Sequence, residues 1–228
     1  WGNGYTLWTS PDESLPLEAR LIFDTGQRKE GFLSLYLYHE GQMIYHFNFR
    51  FDYNVDGTPS VYIGTIQGSK HGLETTKVLT KKLFGYRPKN FILYLMRIFV
   101  QTLGIHDIYV ITDEGFYTNS HMLRGNRSKK TNFNEFWIGE GAAPDGKEPW
   151  YYHLPIEERR RKYGEIKSQK RNLFRKRYLL MDTIIPPYIA AIKGGLFRQG
   201  FDPVPSAIDE AAITDKPADY DPIEAPAK

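Results

Sequence analysis

The chain has 228 residues, 41% of them hydrophobic, with a formal net charge of +3. This length and apolar share suit a packed domain that needs no covalent staple. It contains no cysteine, which excludes disulfides, thiolate metal sites and cysteine nucleophiles and makes the cytoplasm the expected compartment. The mild net charge argues against nucleic acid as a partner, and no apolar run approaches the roughly 20 residues that cross a bilayer.

Trp1 to Ser10 lack the basic-then-apolar pattern of a signal peptide. The chain opens on Trp1 rather than Met, so it is expected to be a fragment, and a targeting segment can lie outside it. Ala19–Asp24 reads as a short strand. Gly31–His39 and Gln42–Asp52 both alternate with a period of two, and the His39-Glu40-Gly41 step between them signals a hairpin. In the second run Ile44, His46, Asn48 and Arg50 share one face, and Tyr45, Phe47, Phe49 and Phe51 share the other. A turn at Asn54–Pro59 leads to a fourth strand, Val61–Gln67, that ends at Gly68. The first third is therefore expected to be a β-meander, and its aromatic wealth fits a pleated surface.

The period then changes. Leu73–Phe84 has helical spacing with Gly85 as a stop, and Pro88 opens a helix to Leu103 that is apolar nearly all round and so buried. His106–Thr112 reads as a buried strand after a helical crossover on the same sheet. Glu114–Thr131 is polar and irregular, with an apolar patch following at Phe133–Trp137. Trp150–Leu154 reads as a last strand, in which His153 is a structural hydrogen-bonder. A long helix is expected from about Ile156 to Met181, interrupted by Pro186-Pro187. Glu157 to Tyr178 hold ten Lys or Arg against three Glu, so one helix face is strongly basic. From Phe201 on, seven acidic residues and two Lys sit among Pro and Ala. That is a disordered-tail composition, unless the tail wraps back onto the basic helix. The expected division is one domain over 1–198 and an acidic tail over 199–228.

Four stretches, in order, resemble the VirK/YbjX family of bacterial proteins: GFLSLYLYHEGQMIYHFNFRF; IGTIQG; FGYRPKNFILYLMRIFVQTLGI with IYVITD; and NFNEFW leading to YHLP and the Arg/Lys-rich segment through KRYLLMD. The resemblance covers roughly Glu18 to Ile192. It implies a role in virulence, in resistance to antimicrobial peptides or in surface display of an outer-membrane protein. It assigns no catalytic residue.

The order of strands, Gln-Gly loop, helix and strand also resembles the GNAT acyltransferase fold. There the loop after the fourth strand presents backbone N–H groups to the pyrophosphate of coenzyme A. A Gly-rich turn into a helix N-terminus suits phosphate. The resemblance therefore makes Gln67, Gly68, Ser69 and Lys70 the coenzyme-binding residues. The motif departs from the usual one: Gly72 comes five residues after Gln67, and the crossover is broken at Gly85–Pro88. His71 and His121 are the acid/base candidates, because histidine titrates near neutral pH. His46, with Asn48 and Arg50, either lines a cleft or belongs to a solvent-facing sheet side. There is no HExxH pair and no paired His at i and i+4, so no metal is expected. Arg159, Arg160, Arg161, Arg175, Lys176 and Arg177 are the candidate partner-binding residues, for anionic lipid or an acyl carrier protein.

The expected fold is α+β: a largely antiparallel, GNAT-like sheet with a helical crossover and a long basic C-terminal helix. The expected function is acyl transfer to an envelope- or lipid-linked acceptor, with coenzyme A or an acyl thioester as donor. The alternative is a binding protein that uses the basic helix, at the inner membrane surface or on an acidic protein.

Overall fold

A computed structural model describes residues 4–24, 30–70, 72–116 and 132–197. Eight strands form one sheet in the order β1-β2-β3-β4-β5-β6-β8-β7. Strands β1 (Tyr5–Thr9), β2 (Leu17–Phe23), β3 (Leu33–His39), β4 (Gln42–Tyr53) and β5 (Pro59–Gly68) make an antiparallel meander. Helices α1 (Leu73–Lys82) and α2 (Pro88–Thr102) then carry the chain to β6 (Asp107–Ile111), which pairs parallel to β5. Helix α3 (Phe133–Gly139), β7 (Ala143–Pro144) and β8 (Tyr151–Leu154) follow, and α4 (Ser168–Leu196) closes the described chain. The mixed, mostly antiparallel sheet with a helical crossover matches the expected class. β1, α3 and β7 are additions to the expected elements.

The alternation sorts the side chains into two faces. Leu35, Leu37, Phe47, Phe49, Val61, Ile63, Ile108 and Val110 are fully buried. They share the face that meets α2, as the Phe49–Phe99 ring contact at 5.9 Å records. Helix α2 is buried nearly all round because α4 and α1 cover what the sheet does not. At roughly 1.5–3 kcal/mol for each large apolar side chain, this face supplies the main driving force for folding.

Two features of the last helix correct the expectation. It begins at Ser168, not Ile156, and Glu157–Lys162 is not helical. A separate 3-10 turn at Tyr163–Glu165, in which Glu165 accepts from the Lys162 N–H, stands before the helix. In the extended segment the cations find separate partners: Arg159 meets Glu165 at 3.3 Å and Arg160 meets Asp182 at 2.5 Å. The cations thus divide between an extended segment and a helix, and do not form one basic face. Pro186 and Pro187 lie inside α4. The cost of their missing N–H groups is offset by burial of Met181, Ile184, Tyr188 and Ile192, one stripe spanning the prolines.

Candidate functional site

Strand β5 carries one residue too many for β4. Asn48 opposes Thr65, but the next residue, Phe49, opposes Ile63, so Gly64 is the extra residue of a bulge. Glycine is required there because a Cβ would fall 2.1 Å from the Glu30 carbonyl oxygen. Residues 30–31 thus cross directly against the backbone of β4 and β5, and a Cβ on Gly31 would meet the Phe49 backbone at 2.3 Å. The parallel pairing of β5 with β6 ends at the same level, at Ile63↔Val110. Strand β5 runs on to Gly68 without β6. Strand β6 itself ends one residue later, at Ile111, so β5 outruns it at their C-terminal ends, the level at which open α/β sheets bind ligands.

Trp137 of α3 lies at this level on the helix face. Its ring stacks with Phe47 of β4 at 6.1 Å, and its indole N–H donates to the Ile111 carbonyl of β6 at 3.0 Å. Asn132 caps α3 by accepting from the Glu135 N–H at 2.8 Å, and Asp113 accepts from the Phe133 N–H at 2.8 Å, so α3 is anchored to the end of β6.

On the opposite face the bulge level carries a polar row. Ser34, Asn48 and Thr65 lie side by side across β3, β4 and β5, and Tyr36, His46 and Gln67 form the next row. Asn48 Nδ2 donates to Ser34 Oγ at 2.5 Å. The Tyr36 ring stacks on the His46 ring at 4.8 Å, and its hydroxyl donates to Asp24 Oδ2 at 2.8 Å. His46 is 4% exposed and Asn48 fully buried, so this part of the sheet is not the solvent-facing side of the simpler reading. Among the described residues neither His46 ring nitrogen has a hydrogen-bond partner, nor does Asn48 Oδ1. Burial pushes the imidazole below its ordinary value; the Asp24 carboxylate and the Asn48 amide offset part of that.

The expected phosphate loop is used differently. The Ser69 N–H donates to the Ile44 carbonyl at 2.9 Å, and the Gly72 N–H to the Ser69 carbonyl at 3.2 Å. What stays open is the first turn of α1, which has no side-chain cap, with the exposed side chains of Gln67 and Lys70 before it. His71 and His121 lie outside the described residues. His153 hydrogen-bonds Asp107 at 3.0 Å, as expected of a structural histidine. Arg175 and Lys176 are exposed on α4, whereas Arg177 is half-buried and donates twice to the Phe84 carbonyl. No group of three His, Asp or Glu among the described residues could hold a metal ion, and none of their helices is long and apolar enough to cross a membrane.

A second polar cluster lies on the helix side. Arg97 is 1% exposed; its guanidinium donates to the carbonyls of Pro155 and Glu140 at 3.1 and 3.0 Å, and Glu140 Oε2 is 3.6 Å away. Tyr86 bonds Glu158, and Asn90 bonds Glu140. Burial raises both carboxyls and lowers the Lys89 amine to about 8. Its bonds tie α2 to the end of α3 and to the segment after β8, which makes it a lock between elements.

The chain belongs to the family described as "Protein of unknown function (DUF535)", whose model matches residues 1–187. It is similar to the protein YbjX of Escherichia coli, 28% identical over 141 residues, which are 60% of this chain and 42% of YbjX. It is also similar to a Haemophilus influenzae protein, 28% identical over 186 residues, 78% of this chain and 60% of that one. The chain thus spans about half the length of the curated relatives it matches. The VirK/YbjX resemblance is thereby established as kinship.

Proposed function

We propose that the chain is a GNAT-like acyltransferase that takes its acyl group from coenzyme A or a carrier thioester and passes it to an envelope- or lipid-linked acceptor. The observation that carries this reading is the run of β5 past the end of β6, after the parallel pair Ile63↔Val110 and beside the Gly64 bulge. A strand edge without a neighbour suits an extended arm with amides of its own, such as pantetheine. Beyond the end of β5 lies the uncapped start of α1, where first-turn amides and the positive end of the dipole favour a phosphate. In this reading Gln67 and Lys70 flank the phosphates, Gly68 and Ser69 set the turn, and His71 or His121 moves a proton. The envelope-linked acceptor rests on the family resemblance.

The test is a thermal-shift titration with coenzyme A, a short acyl-coenzyme A and a long one. A ligand at 100 times its Kd stabilises a fold by about 2.7 kcal/mol, which moves the midpoint by a few degrees. The expected result is a saturable shift that is lost in the Gln67→Ala/Lys70→Ala variant. No shift with any of the three overturns coenzyme A as donor.

A second reading is favoured by the surface of α4 and the segment before it. Exposed Arg159, Arg161, Arg175 and Lys176 share it with Tyr163, 63% exposed, and Leu179, 66% exposed. Cations beside exposed apolar side chains suit an anionic lipid surface or an acidic carrier protein.

A further inference from the structure

We infer that Ser34, His46 and Asn48 form the acceptor half of the site, holding a primary amine or hydroxyl of the acyl acceptor, with His46, in place of His71 or His121, taking its proton. The inference rests on the acyltransferase reading. It starts from three buried atoms, the two His46 ring nitrogens and Asn48 Oδ1, that make no hydrogen bond of good geometry among the described residues, although the Asn48 amide lies close enough to His46 to act on its imidazole. Buried polar atoms are rarely left so, because an unpaired group loses its bonds to water without replacing them. Here they gather on one sheet face, in adjacent rows, at the level where β5 outruns β6. The Ser34 hydroxyl accepts from the Asn48 amide nitrogen and keeps its own O–H free to donate.

The chemistry of the row selects its ligand. A neutral imidazole offers one donor and one acceptor, and Asn48 Oδ1 offers an acceptor. A group that both donates and accepts fits; an amine or hydroxyl does so. A carboxylate or phosphate is refused, because the row holds no cation. Among the described residues the cations of this face are engaged elsewhere, Arg20 with Glu18 at 2.6 Å and Arg50 with Asp52 at 3.3 Å, while the Asp24 carboxylate stands near His46. Tyr36 holds the ring in place by stacking, its own hydroxyl fixed on Asp24. The row also has an outer end: His46 pairs across with Gln67, which is exposed at the end of β5.

The step balances. The acceptor N–H or O–H proton passes to the free imidazole nitrogen while the acceptor lone pair bonds to the thioester carbonyl carbon. Collapse of the tetrahedral centre breaks the C–S bond, and the imidazolium returns the proton to the leaving thiolate. A neutral, buried imidazole is in the right state for the first transfer.

The experiment is an NMR titration of the ring nitrogens of ¹⁵N-histidine-labelled protein with ethanolamine, which carries both an amine and a hydroxyl. The His46 signals are assigned by their loss in His46→Gln. The expected result is a saturable change at His46, weakened tenfold or more in Ser34→Ala/Asn48→Leu. Acyl transfer from acetyl-coenzyme A to ethanolamine should fall about 10²-fold or more in His46→Gln, while the coenzyme A thermal shift persists. No saturable change at His46, with coenzyme A still binding, overturns the inference, makes the row structural and leaves the acyltransferase reading standing. A response to ethanolamine at His46 without any response to coenzyme A or its thioesters keeps the polar site and overturns the transferase reading.

Discussion

At the position of His46 the fold disfavours a proton. The unfolded imidazole titrates near 6.5, and burial places the folded one lower. Above 6.5 both states are neutral and the histidine costs no proton work. As pH falls through 6.5 the unfolded chain binds the proton first, so stability declines, and the decline stops once pH is below the folded value. Asp24 and Tyr36 are the titratable groups that face the ring, and the Asp24 charge narrows the window without reversing it. Two other groups act with the opposite sign: Glu140 and Glu158, whose raised carboxyls favour the folded state as pH falls. Denaturation midpoints should therefore be compared between wild type and His46→Gln at pH 7.5 and 5.0. The wild type should lose more stability than the variant over that interval. Equal losses would mean that the ring is as hydrated as in the unfolded chain. The alternation of polar with aromatic residues in HFNFR made the stripe legible from the sequence, but not its burial. Burial is set by long-range packing across the sheet, which no local pattern reports.

Among the elements, the bulge in β5 matters most. An isolated Gly inside VYIGTIQ is a sequence sign of a bulge or a close backbone approach, and Gly64 is both. Gly64→Ala should cost about 1–3 kcal/mol, since backbone must move to admit the methyl. Gly139→Ala, with nothing within 4 Å of the added carbon, serves as the control and should be neutral. Chemical denaturation of both variants checks this, and an equally stable Gly64→Ala would mean that residues 30–31 pack loosely on the sheet. Strands β3 to β6 and helices α1 and α2 were readable because their periods run for many residues and end at Gly or Pro. Helix α3 was hidden because seven residues in a polar stretch hold too few turns to show a period. Strand β7 has two residues and no pattern at all. The spacing places the basic helix too early because apolar residues at three- and four-residue steps run through Tyr163 and Ile166, whereas a separate 3-10 turn at Tyr163–Glu165 delays the start to Ser168. Of the candidate site, the strand–loop–helix order was legible; the sharing of one sheet face by His46, Asn48 and Ser34 emerged only with the register.

Over the whole molecule, cations and open apolar side chains share the surface that holds Tyr163, Arg175, Lys176 and Leu179. If that surface meets anionic lipid, the chain should sediment with vesicles rich in phosphatidylglycerol and not with neutral ones. Charge reversal at Arg159, Arg161, Arg175 and Lys176 should abolish this at about 1 kcal/mol per cation, and salt should weaken it in the wild type. Binding that ignores both salt and charge reversal would remove the second reading.

The sheet is open, so it has two edges, and edges are templates on which other chains can add strands. Each is blunted in its own way. At one end the terminal strand is β7, two residues long and ending in Pro144, which leaves almost no ladder to copy. At the other, β1 is short and irregular between Thr6 and Trp8, and α4 lies against it. The fit there is close enough that a methyl on Gly195 would fall 1.6 Å from the Tyr5 hydroxyl. The late, proline-bearing helix is thus a neighbour of the terminal strand, and a chain that lost it would leave β1 without that support beside an open edge.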